Sequence, residues 1–156
     1  MPEGPEVKIA SDYFNHFFFS GKKIKFEIIS EYYHKKYFEV FNTVNNNLKT
    51  FKPTFTIGKN IFVELDNNQI FNFHLGMTGG WSNELVKHCH FRVFDNDNEL
   101  FFKDVRKFGK MKIITRSNFI KKFNSSYDLL NKSYNFKNHL KYIEEKISVR
   151  KSICSL

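Results

Sequence analysis

Cysteine is nearly absent: Cys89 and Cys154 are the two in a chain of 156 residues. Two thiols are too few for a disulfide framework or a four-ligand zinc site. The chain therefore reads as intracellular, with no metal and no cofactor expected. Long apolar runs are missing as well. None approaches the ~20 residues that a membrane span needs, and the N-terminus has no basic segment leading into an apolar one, the mark of a secretory signal. Arginine is scarce, at positions 92, 106, 116 and 150. Lysine carries the positive charge instead, and the formal net charge is +9 with a pI near 9.5. Such a surplus favours a polyanionic partner. Part of it has a plainer source. The chain is also rich in asparagine and in phenylalanine (20 residues), a usage that AT-rich coding imposes.

What is present is concentrated at the start, in Pro2-Glu3-Gly4-Pro5-Glu6-Val7. An initiator methionine before a small residue is open to removal, which makes Pro2 the terminus. Free α-amino groups ionise near ~7.7–8.0, and a secondary amine of this kind is partly unprotonated and nucleophilic at neutral pH. Its attack on an aldehyde-level carbon gives an iminium, the covalent logic of a lysine Schiff base. Glu3 stands beside it as a proton donor or acceptor. Pro5 and Glu6 have a simpler reading as the first turn of a helix. That reading leaves Pro2-Glu3 without a reason.

Val7, Ala10, Phe14, Phe17 and Phe18 fall at helical spacing, and Gly21 closes the segment. Up to about residue 115 the chain reads as strands. Lys22–Ser30 and Lys36–Phe41 come first, then an Asn-rich loop at 45–47. Ile61, Val63 and Leu65 alternate, and Asp66-Asn67-Asn68 turns into Ile70–Leu75. A second hairpin runs through His90–Phe94, the turn Asp95–Asn98, and Glu99–Lys103, with Gly109–Thr115 last. Alternation with short polar turns predicts an α+β, mainly β fold: an antiparallel β-sandwich with an N-terminal helix and C-terminal helices. Ser117 reads as the cap of a short helix through Phe123, and Asn135 as that of a second helix with Phe136, Leu140, Ile143 and Ile147 on one face. Residues 1–132 are expected to form one domain. Residues 133–156 read as the incomplete start of another, ending on Arg150–Leu156 as a half-written helix.

Three further segments give these pieces a common meaning. They are Ile57-Gly58-Lys59, His74-Leu75-Gly76-Met77-Thr78-Gly79-Gly80-Trp81 and Asp104-Val105-Arg106-Lys107-Phe108-Gly109. In order and spacing, with the opening motif, they resemble the formamidopyrimidine-DNA glycosylase / endonuclease VIII family of base-excision repair enzymes, well over residues 1–115 and loosely beyond. The resemblance implies a glycosylase that removes oxidised bases from double-stranded DNA and nicks abasic sites by β-elimination. Pro2 would attack C1′ of the damaged nucleotide, Glu3 would help open the deoxyribose ring, and Lys59 would support elimination and meet phosphate. Met77, Arg106 and Phe108 would fill the hole left by the extruded base. His88, Lys107 and Arg150 would contact DNA, Lys107 standing where many relatives have a second arginine.

The chemistry suits these residue types. A base inside the stack cannot be reached, so its nucleotide must be flipped out at a cost of a few kcal/mol. Apolar wedges such as Met77 and Phe108 replace lost stacking, and Arg106 can bond the widowed base through its donor fork. Taken singly, Phe108 and Met77 could be core residues, and Lys59 and His88 surface ones; their joint register favours the site. The family's helix–two-turn–helix and finger have no counterpart here. An alternative reading follows: a half with little activity alone, acting as a DNA-binding remnant or with a second chain that supplies the missing domain. A generic basic β-domain for RNA or protein is disfavoured, because no stacking platform is present.

Overall fold

The computed structural model describes residues 2–123, 128–131 and 133–146. Helix α1 (Gly4–Phe17) begins where expected. The Glu6 carboxylate accepts from the backbone N–H of Glu3 at 3.1 Å, and Pro5 needs no partner in the first turn. The helix buries Val7, Ser11 and Phe14. Strand β1 (Lys25–Ile28) follows.

The next segment corrects the sequence reading. Lys36–Phe41 is not a strand but the middle of helix α2 (Glu31–Asn46). Ser30 caps it, its hydroxyl oxygen accepting from Tyr33 N–H at 3.2 Å. Tyr33, Tyr37, Phe41 and Val44 are buried at helical intervals, so burial of one face overrides the strand propensity of an aromatic-rich run. The asparagine loop is absorbed too. Asn45, inside the helix, accepts from Phe26 N–H at 2.9 Å and donates to Phe26 C=O at 2.8 Å, which satisfies the open edge of β1.

Seven more short strands complete two antiparallel four-stranded sheets. One has the order β1–β6–β7–β5, with β5 (Gly80–Ser82), β6 (Cys89–Phe94) and β7 (Glu99–Lys103). The other has the order β2–β3–β4–β8, with β2 (Phe55–Ile57), β3 (Asn60–Glu64), β4 (Gln69–His74) and β8 (Lys110–Thr115). The expected mainly-β sandwich with flanking helices is what forms. Ile61, Val63, Phe71 and Phe73 meet Phe26, Phe91, Leu100 and Phe102 between the sheets. Gly58-Lys59 is the turn of the β2–β3 hairpin and leads directly into β3, with Gly58 at φ +57°.

Helix α3 (Arg116–Lys122) is capped by Thr115 rather than Ser117, the Thr115 hydroxyl accepting from Asn118 N–H at 3.3 Å. Its Phe119, with Phe123, covers Phe62 on the outer face of the second sheet at ring separations of 5.1 and 4.9 Å. Helix α4 (Phe136–Lys146) starts at Asn135, whose side chain accepts from Asn138 N–H at 3.0 Å. Ile147 and the Arg150–Leu156 segment lie outside the described residues.

Candidate active site

The α1 cap and the β2–β3 turn meet. The left-handed backbone at Gly58 swings Lys59 toward the start of α1, where its ammonium sits 2.9 and 2.8 Å from the two carboxylate oxygens of Glu3. The Gly58 N–H is held by the Asp128 carboxylate at 2.8 Å. Pro2 is half-buried. It lines a cleft of about 370 Å³ together with Ile9, Tyr13, Leu75 and Trp81. The adjacent Pro2 and Glu3 are thus gathered at one helix terminus with Lys59, 56 positions beyond Glu3.

A second cluster forms where β4 and β7 end. The turn after β4 packs against the loop between β7 and β8 so closely that a Cβ on Gly76 would lie 2.5 Å from the Phe108 carbonyl carbon; Gly76 is also at φ +68°. This closeness brings Met77 up to Arg106, whose guanidinium is 3.5 Å from the Met77 sulfur and 4.9 Å from the centre of the Phe108 ring. Met77 is 40% and Phe108 48% exposed, so neither is a core residue. Lys107, at φ +58°, lays its ammonium over the Tyr32 ring at 4.9 Å.

Asp104 anchors that loop from beneath. It is fully buried, and its carboxylate accepts from the Thr78 hydroxyl at 2.6 Å and from Gly109 N–H at 2.7 Å. The Thr78 oxygen in turn accepts from Arg106 N–H at 3.0 Å. The Asp104 N–H donates to the His88 carbonyl at 3.0 Å, which places half-buried His88 (φ +71°) beside the cluster through its backbone. The Asp104 carbonyl receives His90 Nε2 at 2.8 Å, while His90 Nδ1 lies 2.8 Å from Ser30 Oγ. A carbonyl only accepts, so Nε2 carries the hydrogen.

Beside the Met77–Arg106–Phe108 cluster opens a cleft of about 760 Å³, whose lining includes Tyr32, Lys36, His74, Lys107, Lys110 and Lys112. His74 Nδ1 accepts from Gly76 N–H at 3.0 Å. Burial, then Lys110, Lys59 and Lys112, push the His74 pKa below its ordinary 6.5. Below pH 6.5 the unfolded chain therefore takes up this proton more readily than the folded one. The resulting stability is complete above that pH and declines as pH falls beneath it. Replacing Lys110 by Gln is expected to raise the His74 pKa back toward 6.5, followed by NMR titration of its ring proton. An unchanged midpoint would show that Lys110 does not reach the ring.

The expected site residues thus fall into two groups, Pro2–Glu3–Lys59 and Met77–Arg106–Phe108 with Lys107 and His88; Arg150 lies outside the described residues. Sequence reasoning passed over His74, His90, Asp104, Lys110 and Lys112. The signal for the last two was their i, i+2 spacing, which puts both on one face of β8.

This fold is shared with proteins solved on modified DNA. It matches MutM in complex with carbocyclic 8-oxo-G containing DNA, with a TM-score of 0.62 and 23% identity over 77% of this chain and 47% of that one. It also matches wild-type Lactococcus lactis Fpg (MutM) in complex with N7-benzyl-Fapy-dG containing DNA, with a TM-score of 0.64 and 22% identity over 77% and 46%. Sequence takes the likeness further. The chain is 31% identical over 132 residues to a formamidopyrimidine-DNA glycosylase of Mycoplasmopsis pulmonis (strain UAB CTIP), covering 78% of this chain and 46% of that protein. Residues 1–111 match the formamidopyrimidine-DNA glycosylase N-terminal domain, and the chain belongs to that family. It spans a little under half the length of the relatives it matches.

Proposed function

We propose that this chain carries the catalytic N-terminal domain of a base-excision DNA glycosylase and abasic-site lyase. The observation that carries the reading is the Glu3–Lys59 pair at 2.8–2.9 Å beside Pro2. With Met1 removed, the Pro2 amine attacks C1′ of an extruded nucleotide. The glycosidic bond breaks toward the departing base, and Glu3 delivers a proton to the ring oxygen as the sugar opens. The product is an iminium whose positive charge acidifies C2′. Loss of a C2′ proton then expels the 3′ phosphate as the C3′–O bond breaks, and water releases the enzyme. Lys59 keeps Glu3 in place and offers its ammonium to a neighbouring phosphate. Met77 and Phe108 occupy the vacated stack while Arg106 faces the widowed base, with Lys107 and His88 on the backbone. Residues 1–132 form this unit, and 133–156, including Arg150, begin the helical domain of the whole protein.

A second reading is favoured by one observation: α4 leaves Phe136 and Leu140 exposed. On that reading the chain works with a separate helical half. Both readings share a measurable outcome for the chain alone. Binding is weak and salt-dependent, because one domain neutralises few phosphates. Incision of an abasic duplex is expected to exceed excision of an oxidised base by at least about tenfold, since the abasic nucleotide avoids part of the extrusion cost. Gel assays on the two duplexes give the ratio. Equal rates would mean that this domain grips the damaged base unaided.

A further inference from the structure

The outer face of the β2–β3–β4–β8 sheet is divided. Toward the β3–β4 turn, Phe62 is sealed by Phe119 and Phe123. The half nearer Gly58 and Gly76 is polar. Its register lays Asn60, His74 and Lys110 side by side across three strands, with Asn72 and Lys112 in the next row. Lys59 precedes Asn60 at the head of the first row. Strands lie about 4.8 Å apart, so the row reaches from Lys59 to Lys110 over roughly 10–15 Å.

The charge along this row is of one sign, and beyond Lys59, which pairs with Glu3, no carboxylate among the described residues answers it. Several lysines elsewhere have acidic partners, as in Lys8–Asp12, Lys22–Asp97, Lys35–Glu31 and Lys52–Glu64. Among the described residues Lys110 and Lys112 have no carboxylate within ion-pair distance. Partial burial, then Lys122 and Lys110, lower the Lys112 pKa from its ordinary value. A cleft that crowds ammonium groups without a counterion is costly in the free protein and suits an extended anion. Lys59, at one end, is bound to the candidate catalytic pair, and Met77, Arg106 and Phe108 wall the same cleft.

We propose that this row is a track for the phosphodiester backbone of the lesion-bearing strand, with Lys110 and Lys112 neutralising phosphates a few nucleotides beyond the one met by Lys59. One strand presents a phosphate about every 3.4 Å of helix axis, so a row of this length follows three to four nucleotides. The assignment rests on the DNA reading above and goes beyond it. It names the strand and the side chains, and it makes the sheet face, rather than a loop, the surface that the strand crosses.

The test compares the chain with a Lys110→Gln/Lys112→Gln variant. Fluorescence anisotropy records binding to an oligonucleotide carrying a tetrahydrofuran abasic analogue, single-stranded and in duplex, between about 50 and 200 mM salt. Each lost phosphate contact flattens the log–log salt slope by ~0.7 on a single strand and ~0.9 on duplex. The double variant should therefore lose about 1.4 and 1.8, and its binding should change about tenfold less than wild type across that range. A Lys8→Gln/Lys35→Gln variant removes the same charge from α1 and α2, away from the row, and should keep the wild-type slopes. Unchanged slopes in the first variant overturn the track. So does an equal loss in the second, which would make the effect one of net charge. A loss confined to duplex overturns the assignment to the lesion strand. Borohydride trapping of the wild type on abasic DNA runs in parallel. If it fails, the enzymatic reading fails; if it succeeds while the slopes stay unchanged, the track alone fails.

Discussion

Pro2→Gly is expected to reduce borohydride-trapped adduct on abasic-site DNA strongly, while leaving the fold intact. The substitution replaces a secondary amine by a primary one and removes the ring that fixes its direction at the head of α1. It disturbs little else, because Pro2 precedes the helix and is half-buried. Glu3→Gln is a different test of the same centre. It keeps the size of the side chain but breaks the ion pair with Lys59. Loss of a positioned proton donor costs about 10²–10⁴-fold in rate. That loss should fall mainly on excision of a damaged base, where the sugar must be opened; on an abasic site the ring is a hemiacetal that opens to its aldehyde without enzymatic help. Single-turnover rates on both substrates, with intact-mass analysis of the terminus, check this. Adduct formed by a protein that retains Met1 would remove Pro2 as the nucleophile.

Legibility in the sequence followed distance along the chain. Pro2 and Glu3 are adjacent, and their chemistry is stated by the residues themselves. The β3–β4 and β6–β7 hairpins were legible because each closes within fifteen residues. Helix α2 was not: Tyr, Phe and Val are strand formers, and the 3.6-residue period of Tyr33, Tyr37, Phe41 and Val44 was hidden among other aromatic side chains. The cap at Thr115 was missed because Ser117 is an equally good capping residue, and the end of β8 decides between them. The support beneath Arg106 could not be read at all. It joins Ser30 to His90 across 60 positions and Thr78 to Asp104 across 26. The lysine row needed the register of β4 against β8 before Lys110 could be set beside His74. Contiguous motifs thus revealed the candidate reacting groups, while the residues packed around them became visible once the strands were paired.

That division between reacting and positioning groups can be measured at the Asp104–Gly109 loop. Phe108→Ala and Met77→Ala remove half-exposed side chains and should each cost under ~1 kcal/mol of stability. Asp104→Ala strips the Thr78 hydroxyl and Gly109 N–H of their buried acceptor. Its cost should be roughly 3 kcal/mol, a fall in Tm of about 10 °C for a chain of this size. The effects on DNA should run the other way in selectivity. Extruding a nucleotide from duplex costs a few kcal/mol, so loss of either wedge should slow processing of abasic duplex by about 10–100-fold. An abasic single strand has no stack to refill and should be cut at near the wild-type rate. Asp104→Ala, by contrast, should depress both substrates together, since the loop that carries Arg106, Lys107 and Phe108 loses its shape. Thermal melts and paired single- and double-strand assays on the three variants decide the matter. If Phe108→Ala or Met77→Ala melts as early as Asp104→Ala, and both activities fall in step, these side chains support the fold rather than enter the duplex.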